Sequence, residues 1–266
     1  MRTNFQGVDR AGQHLAGIDF TGADFTGADL TGADLTGANL TSAILTGVNL
    51  ALANLTGANL TNAVLIGSYL RCANLTGANL TGAIFTEVDL RGANLTGAIL
   101  TEVEVFDKAD FTDANLTGAN LTSAILDGAN LTGADLTGAD LRCADLREAK
   151  LTGADLRCAD LRCADLCGAD LALEGKRAGA NLSNANLTGA DLRCADLDGA
   201  HLTCADLTGA DLTGADLSNS FLPYAILRGA ILRRADLTGA LLVGADLDGA
   251  HLDGAEIYDH DIGPMT

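Results

Sequence analysis

The sequence predicts an all-β coil assembled from five-residue units, with four units and about 20 residues to the turn. Three observations carry this. The stretch FTGADFTGADLTGADLTGANL, Phe20–Leu40, places Phe or Leu at every fifth residue, with Ala two before and Gly two after. Steps of five make no stripe on an α-helix, and five is odd, so one long strand cannot hold them on a single face. The unit must therefore end and bend before its alternation fails. Within it, an extended Ala-Asp-Leu sends Ala and Leu to one side and Asp to the other. Thr-Gly then turns the corner, with Gly supplying the positive φ of a type II turn.

The third observation is that departures from the pattern recur at twenty. Ile44, Val64 and Ile84 replace the usual Asp or Asn at that interval, and Ile125 joins their column after one further coil and an inserted residue. Arg71 and Arg91 are twenty apart, as are Arg142 and Arg162, and Cys143 and Cys163. Cys204 is expected in this last column, two coils and one insertion later. Four pentads per coil give four faces.

The phase holds from Phe20 to Leu100, slips near 106–108, resumes from Phe111 to Leu171, slips within 172–180 and runs on from Leu182 to Ile262. Each slip reads as a net one-residue bulge on the wall, so residues 1–266 are expected to form a single domain. The apolar fraction is 48%, aromatic residues are 4% and Trp is absent. The core is thus expected to be many copies of small parts, mainly Leu and Ala. Leu75→Ala is expected to be costly and Thr76→Ala nearly neutral.

Over nearly the whole chain the A(D/N)LxG tandem resembles the pentapeptide repeat family. The resemblance implies a right-handed quadrilateral parallel β-helix. About 12–13 coils rising about 4.8 Å each would make a rod roughly 60 Å long. Stability in such a solenoid is a sum of local terms.

Net charge is −19, with pI near 4.2. Phosphates would be repelled, which excludes direct nucleic-acid binding and leaves basic proteins, including those that grip DNA, as partners. No uninterrupted apolar run is long enough for a signal peptide or membrane span. Seven Cys is an odd number, unlike a secreted disulfide framework, so a cytoplasmic location with free thiols is expected. Cys143 and Cys163 should stack on adjacent coils, where a disulfide or a thiolate metal site is geometrically conceivable.

No catalytic constellation stands out, so neither an enzyme nor a cofactor or metal site is expected. His14, His201, His251 and His260 are scattered; Tyr258–Asp261 reads as a polar end, and Leu173–Gly179 as a basic wall loop without phosphate-loop spacing. The numerous Asp read as a solvated outer ladder, with Arg142, Arg147, Arg157 and Arg162 interleaved among Asp140, Asp145, Asp155 and Asp160. From Ala38 to Leu100 the ladder mostly uses Asn.

Two function classes follow. One is a rigid acidic protein-interaction module that mimics DNA. The resemblance implies this class, since some pentapeptide repeat proteins bind DNA gyrase, a type II topoisomerase, and protect it from quinolones. The expected charge density of about one per 3 Å compares with about one per 1.7 Å in B-DNA. The alternative is a structural scaffold with an unrelated protein partner. The column Ile44, Val64, Ile84 and Ile125 is the candidate partner-binding strip. Phe221, Ile226, Ile231 and Leu241, outward apolar residues near the C-terminus, are the candidate contact of a homodimer.

Overall fold

The computed structural model describes residues 3–104, 109–172 and 179–257. They fall into two compact units, Met1–Asn130 and Leu131–Thr266. Each is a right-handed quadrilateral β-helix whose rungs pair in parallel, twenty residues apart over most of the chain. Tyr258–Asp261, with His260 among them, and Leu173–Ala178 of the basic stretch lie outside the described residues.

One pentad shows why the pattern folds this way. Ala53 and Leu55 are fully buried, while Asn54 between them pairs with Asn74 on the next coil. Every backbone N–H of the pentad has an acceptor. Three reach neighbouring coils: Asn54 N–H donates to Ala33 C=O (2.9 Å), Leu55 to Asn74 C=O (2.6 Å) and Gly57 to Thr76 C=O (2.9 Å). Ala53 N–H closes the preceding turn onto Leu50 C=O at 3.0 Å. The fifth, on Thr56, donates to the Asn54 side-chain Oδ1 at 3.2 Å. Buried backbone that meets this accounting can tile without limit.

The outer Asp or Asn is therefore more than a solvated ladder. Its Oδ1 accepts from both the amide and the hydroxyl of the Thr two residues on, which is the side-chain mimic of a turn. Asn adds a donor that Asp lacks. Asn54 Nδ2 donates to Thr36 Oγ1 (2.9 Å), Thr56 Oγ1 to Asn54 Oδ1 (2.6 Å), Asn74 Nδ2 to Thr56 Oγ1 (3.0 Å) and Thr76 Oγ1 to Asn74 Oδ1 (2.6 Å). This relay stitches successive coils along one uncharged face, a role that accounts physically for Asn in this stretch.

Glycine is not obligatory at the corner. Eighteen non-Gly residues among those described occupy it with φ between 53° and 60°, including Leu52, Tyr224 and six Cys. Each costs about 1 kcal/mol in the left-handed region. The inter-coil bond from the corner N–H, such as Leu52 to Arg71 C=O at 3.0 Å, holds them there.

The two slips differ in size. Ile84 pairs with Glu104 twenty residues on, but Asp89 pairs with Asp110, twenty-one on, so one residue is inserted across the stretch that includes 105–108. In the second unit Asp155 pairs with Asn181 and Asp170 with Asp196, each twenty-six on. The second insertion is thus six residues, not one. Ala180 N–H still bonds Leu171 C=O (2.9 Å), the counterpart of the Ala-to-Leu turn bond made by ordinary pentads. A shift of six equals a shift of one within a five-residue phase, which is why the phase alone undercounts it. The consequence is that Cys204 does not share the Cys163 column: it stands above Asn184 and Cys158, whose N–H groups bond Thr203 and Ser183 respectively.

Leu75 is fully buried, and its replacement by Ala should cost roughly 2–5 kcal/mol by opening a cavity. Thr76→Ala should cost about 1 kcal/mol through its lost bond to Asn74, more than the sequence alone suggests. Denaturant melts of the two variants check both the order and the gap.

Candidate interaction surfaces

Among the described residues no group of three or more His, Cys, Asp or Glu is placed to hold a metal ion, and no helix is long and apolar enough to cross a membrane. The exposed His14 stands beside Asp34 at 3.6 Å, and His201 stacks on Phe221 with ring centres 4.7 Å apart. The chemistry available lies in the walls, so the candidate sites are surfaces.

The first is apolar and belongs to the first unit. Ile44, Val64, Ile84, Glu104 and Ile125 are successive rungs of one face, as their consecutive pairing shows. Ile44, Val64 and Ile84 are half-buried against one another, and Ile125 beyond Glu104 is more exposed. The sequence reading missed three neighbours. Ile66 follows Val64 at the adjoining corner, Tyr69 is a rung of the next face and Leu52 takes a corner Gly position; all three are exposed. Each is a departure from the pentad consensus, so the register alone was enough to find them. Residues 38–100 contain two Arg, Arg71 and Arg91, against Glu87 and Asp89, and so carry no net charge.

The second is the apolar corner near the end of the second unit. Phe221 and Leu241 are paired rungs of one face. Ile226 pairs with Asp246 on the next face and Ile231 with His251 on a third, so the four expected contact residues do not share a plane. The larger exposed apolar area comes from two corner residues, Tyr224 at 64% and Val243 at 55% exposure. Tyr224 N–H bonds Val243 C=O (3.0 Å), and its ring carbons lie 2.7 Å from the point where a side chain on Gly244 would begin. Gly244 leaves the space that the ring occupies.

The third is acidic. In the second unit Asp170, Asp196, Asp216, Asp236 and Glu256 are consecutive rungs of one face. Lys150 is the rung preceding Asp170 on this face, and among the described residues no salt bridge joins an Arg or Lys to these carboxylates. The arginines are spent elsewhere. Arg142, Arg147, Arg157, Arg162 and Arg193 take the corner Thr position and grip the Asp two residues before, as Arg142 does with Asp140 through Nε (2.7 Å) and Nη2 (2.6 Å). Such forks hold the Asp160 and Asp191 carboxyls below the usual carboxylate range, chiefly through the hydrogen bonds from Arg162 and Arg193. Asp196 moves the other way. Burial raises it first, and the like charges of Asp216, Asp170 and Asp198 add to this.

That raised carboxyl gives a signed expectation. A group with a higher pKa in the folded state destabilises the fold when both states are ionised, above its folded pKa. Asp196→Asn keeps the Oδ1 acceptor for Asp198 N–H (3.2 Å) and removes the charge. It should raise the thermal midpoint at pH 7, with the gain shrinking as pH falls through the folded pKa and vanishing below about 3.8. A gain that persists at pH 3 would contradict this origin.

Eight stretches match the family model described as pentapeptide repeats: 3–41, 33–71, 43–82, 65–101, 105–142, 134–171, 180–219 and 230–262. HetL, a pentapeptide repeat protein involved in heterocyst differentiation regulation from the cyanobacterium Nostoc sp. strain PCC 7120, is 36% identical, with 98% of this chain and 94% of that one covered and a TM-score of 0.27. Trypsin-treated QnrB1, a plasmid-mediated fluoroquinolone resistance protein, is 21% identical over 82% of this chain and 90% of its own, with a TM-score of 0.40. A pentapeptide repeat protein from the Arabidopsis thaliana thylakoid lumen is 44% identical over 34% of this chain and 69% of its own, with a TM-score of 0.22. No curated protein matches. The superpositions add no weight of their own; the repeat matches run along nearly all the sequence, in the register that the buried Leu and Ala obey, and on that ground the chain belongs to the pentapeptide repeat family.

Proposed function

We propose that the chain is a non-enzymatic protein-interaction module of the cytoplasm, and that its acidic wall imitates DNA toward a basic groove on a DNA-handling protein such as DNA gyrase. The supporting observation is the Asp170–Asp196–Asp216–Asp236–Glu256 face, which concentrates negative charge while the arginines of the same unit neutralise other faces. Fixed charges on a rigid wall cost little reorganisation on binding and steer a basic partner over distances set by salt. The resemblance to gyrase-binding pentapeptide repeat proteins points to the same partner class.

A second reading is favoured by the neutral stretch. Ile44, Val64 and Ile84 form a straight apolar ridge flanked by Ile66 and Tyr69, which suits a scaffold with an unrelated protein partner better than it suits DNA mimicry. One experiment separates the two. Gyrase supercoiling should be inhibited by the purified protein, less so at high salt and in competition with DNA. The triple variant Asp196→Asn, Asp216→Asn, Asp236→Asn should weaken inhibition at least tenfold, and Ile44→Asn, Val64→Asn, Ile84→Asn should leave it unchanged. No effect of the parent protein on supercoiling or quinolone inhibition over a wide concentration range would end the DNA-mimic reading; loss only in the apolar variant would move the contact to the neutral face.

Self-association is proposed at the apolar corner formed by Phe221, Leu241, Tyr224 and Val243, with Ile226 at its edge. Sedimentation should show a dimer that Leu241→Asp dissociates. A parent chain that stays monomeric at high concentration excludes this corner as a homodimer contact.

A further inference from the structure

Six Cys occupy the corner Gly position, at 72, 143, 158, 163, 194 and 204, while Cys167 takes the Thr position. Two of the six stand on successive rungs of the same corner. Asp140 pairs with Asp160, and Cys143 N–H donates to Arg162 C=O at 3.0 Å. The Cα atoms of Cys143 and Cys163 are therefore one ladder step apart, about 4.8 Å, within the roughly 4.4–6.8 Å that a disulfide spans. Both side chains are exposed, and their φ values of 56° and 58° give the two Cα–Cβ bonds the same outward sense.

Two other corners gauge the reach of a thiol toward the rung above. Cys72 Sγ lies 3.4 Å from the position of a Cβ built on Gly92, and Cys194 Sγ lies 3.7 Å from that on Gly214. In a disulfide a sulfur sits about 3 Å from the far Cβ. At Cys143 the rung above carries a real Cβ and a second sulfur, so a side-chain rotation and a shift of a few tenths of an ångström close the bond. Among the described residues no second pair of Cys stands on successive rungs of one corner position. Asn184 separates Cys158 from Cys204, Gly92 stands above Cys72, and Cys167 is one residue out of step with Cys194.

We propose that Cys143 and Cys163 form a reversible modification site for low-molecular-weight disulfides, which convert the pair into a disulfide clip between neighbouring coils. One thiol gives its proton to solvent, and its thiolate attacks a small disulfide RSSR. One S–S bond forms as another breaks, and RS⁻ leaves, to be protonated to RSH. The second thiol, deprotonated in turn, attacks the protein-bound sulfur and expels the other RS⁻. Two protein thiols and one RSSR become one protein disulfide and two RSH; the protein is oxidised by two electrons and the small disulfide is reduced. The clip closes a loop between adjacent coils, and excess small thiol reverses it.

The test uses oxidised glutathione on the folded full-length chain, followed by alkylation of the remaining thiols after unfolding and by peptide mapping. The expected product is a Cys143–Cys163 cross-link, with Cys158 and Cys204 either free or still carrying glutathione. In Cys143→Ser the cross-link disappears and Cys163 retains glutathione; Cys163→Ser gives the reciprocal result on Cys143. Glutathione retained on both residues, both thiols recovered as alkylated, or either residue cross-linked to a different Cys would overturn the proposal.

Discussion

The constraint on which the rest depends is the positive-φ corner repeated at every fifth residue. Without it the alternation of an extended chain would turn every second Leu outward. With it each Ala-x-Leu restarts in the same phase, and within each unit the Leu and Ala of successive coils meet in a buried interior. The corner also presents its own N–H to the next coil, as Gly57 does to Thr76 C=O, so the element that bends the chain also ties it. That double use explains how Leu52 and Tyr224 are tolerated in a conformation that usually demands Gly.

The outer position has two duties. Its side-chain oxygen completes the corner by accepting from the following Thr, a task Asp and Asn perform alike. What remains of the side chain is free to differ: a negative charge in Asp, a donor to the preceding coil in Asn, a grip for Arg when Arg replaces Thr. Ile, Val, Phe or Leu in that place gives up the corner acceptor altogether and gains apolar surface. Surface character therefore varies face by face over an unchanging interior. A wall of acids, a neutral Asn relay and an apolar ridge are built on one repeating backbone unit, and the arginine forks decide which acidic rungs have their charge offset.

Much of this was legible in the residues because each pentad reports its own geometry. The inward Leu and Ala, the four-rung coil and the Ile44–Val64–Ile84 column follow from spacing alone. Two features were not legible. The insertion before Ala180 is six residues, and a five-residue phase cannot distinguish six from one, so Cys204 was assigned to the wrong column. The side-chain bonds from Thr to Asp or Asn were also missed, because an outward polar residue looks merely solvated until the turn beside it is seen. The spread of Phe221, Ile226 and Ile231 over three faces follows from the spacing as well: steps of five move one face at a time, and only steps of one coil stay on a face.

Native-state amide exchange resolved by residue tests the central claim most directly. In the pentads 53–57 and 73–77 the amides of the outer residue, the Leu and the corner residue bond other coils, whereas the Thr amide bonds only the local side chain. Slow exchange at Asn54, Leu55 and Gly57 with clearly faster exchange at Thr56, repeated at Asn74, Leu75, Gly77 and Thr76, is the expected pattern. Uniform protection along the pentad, or protection that follows a period other than five, would contradict a corner-controlled ladder.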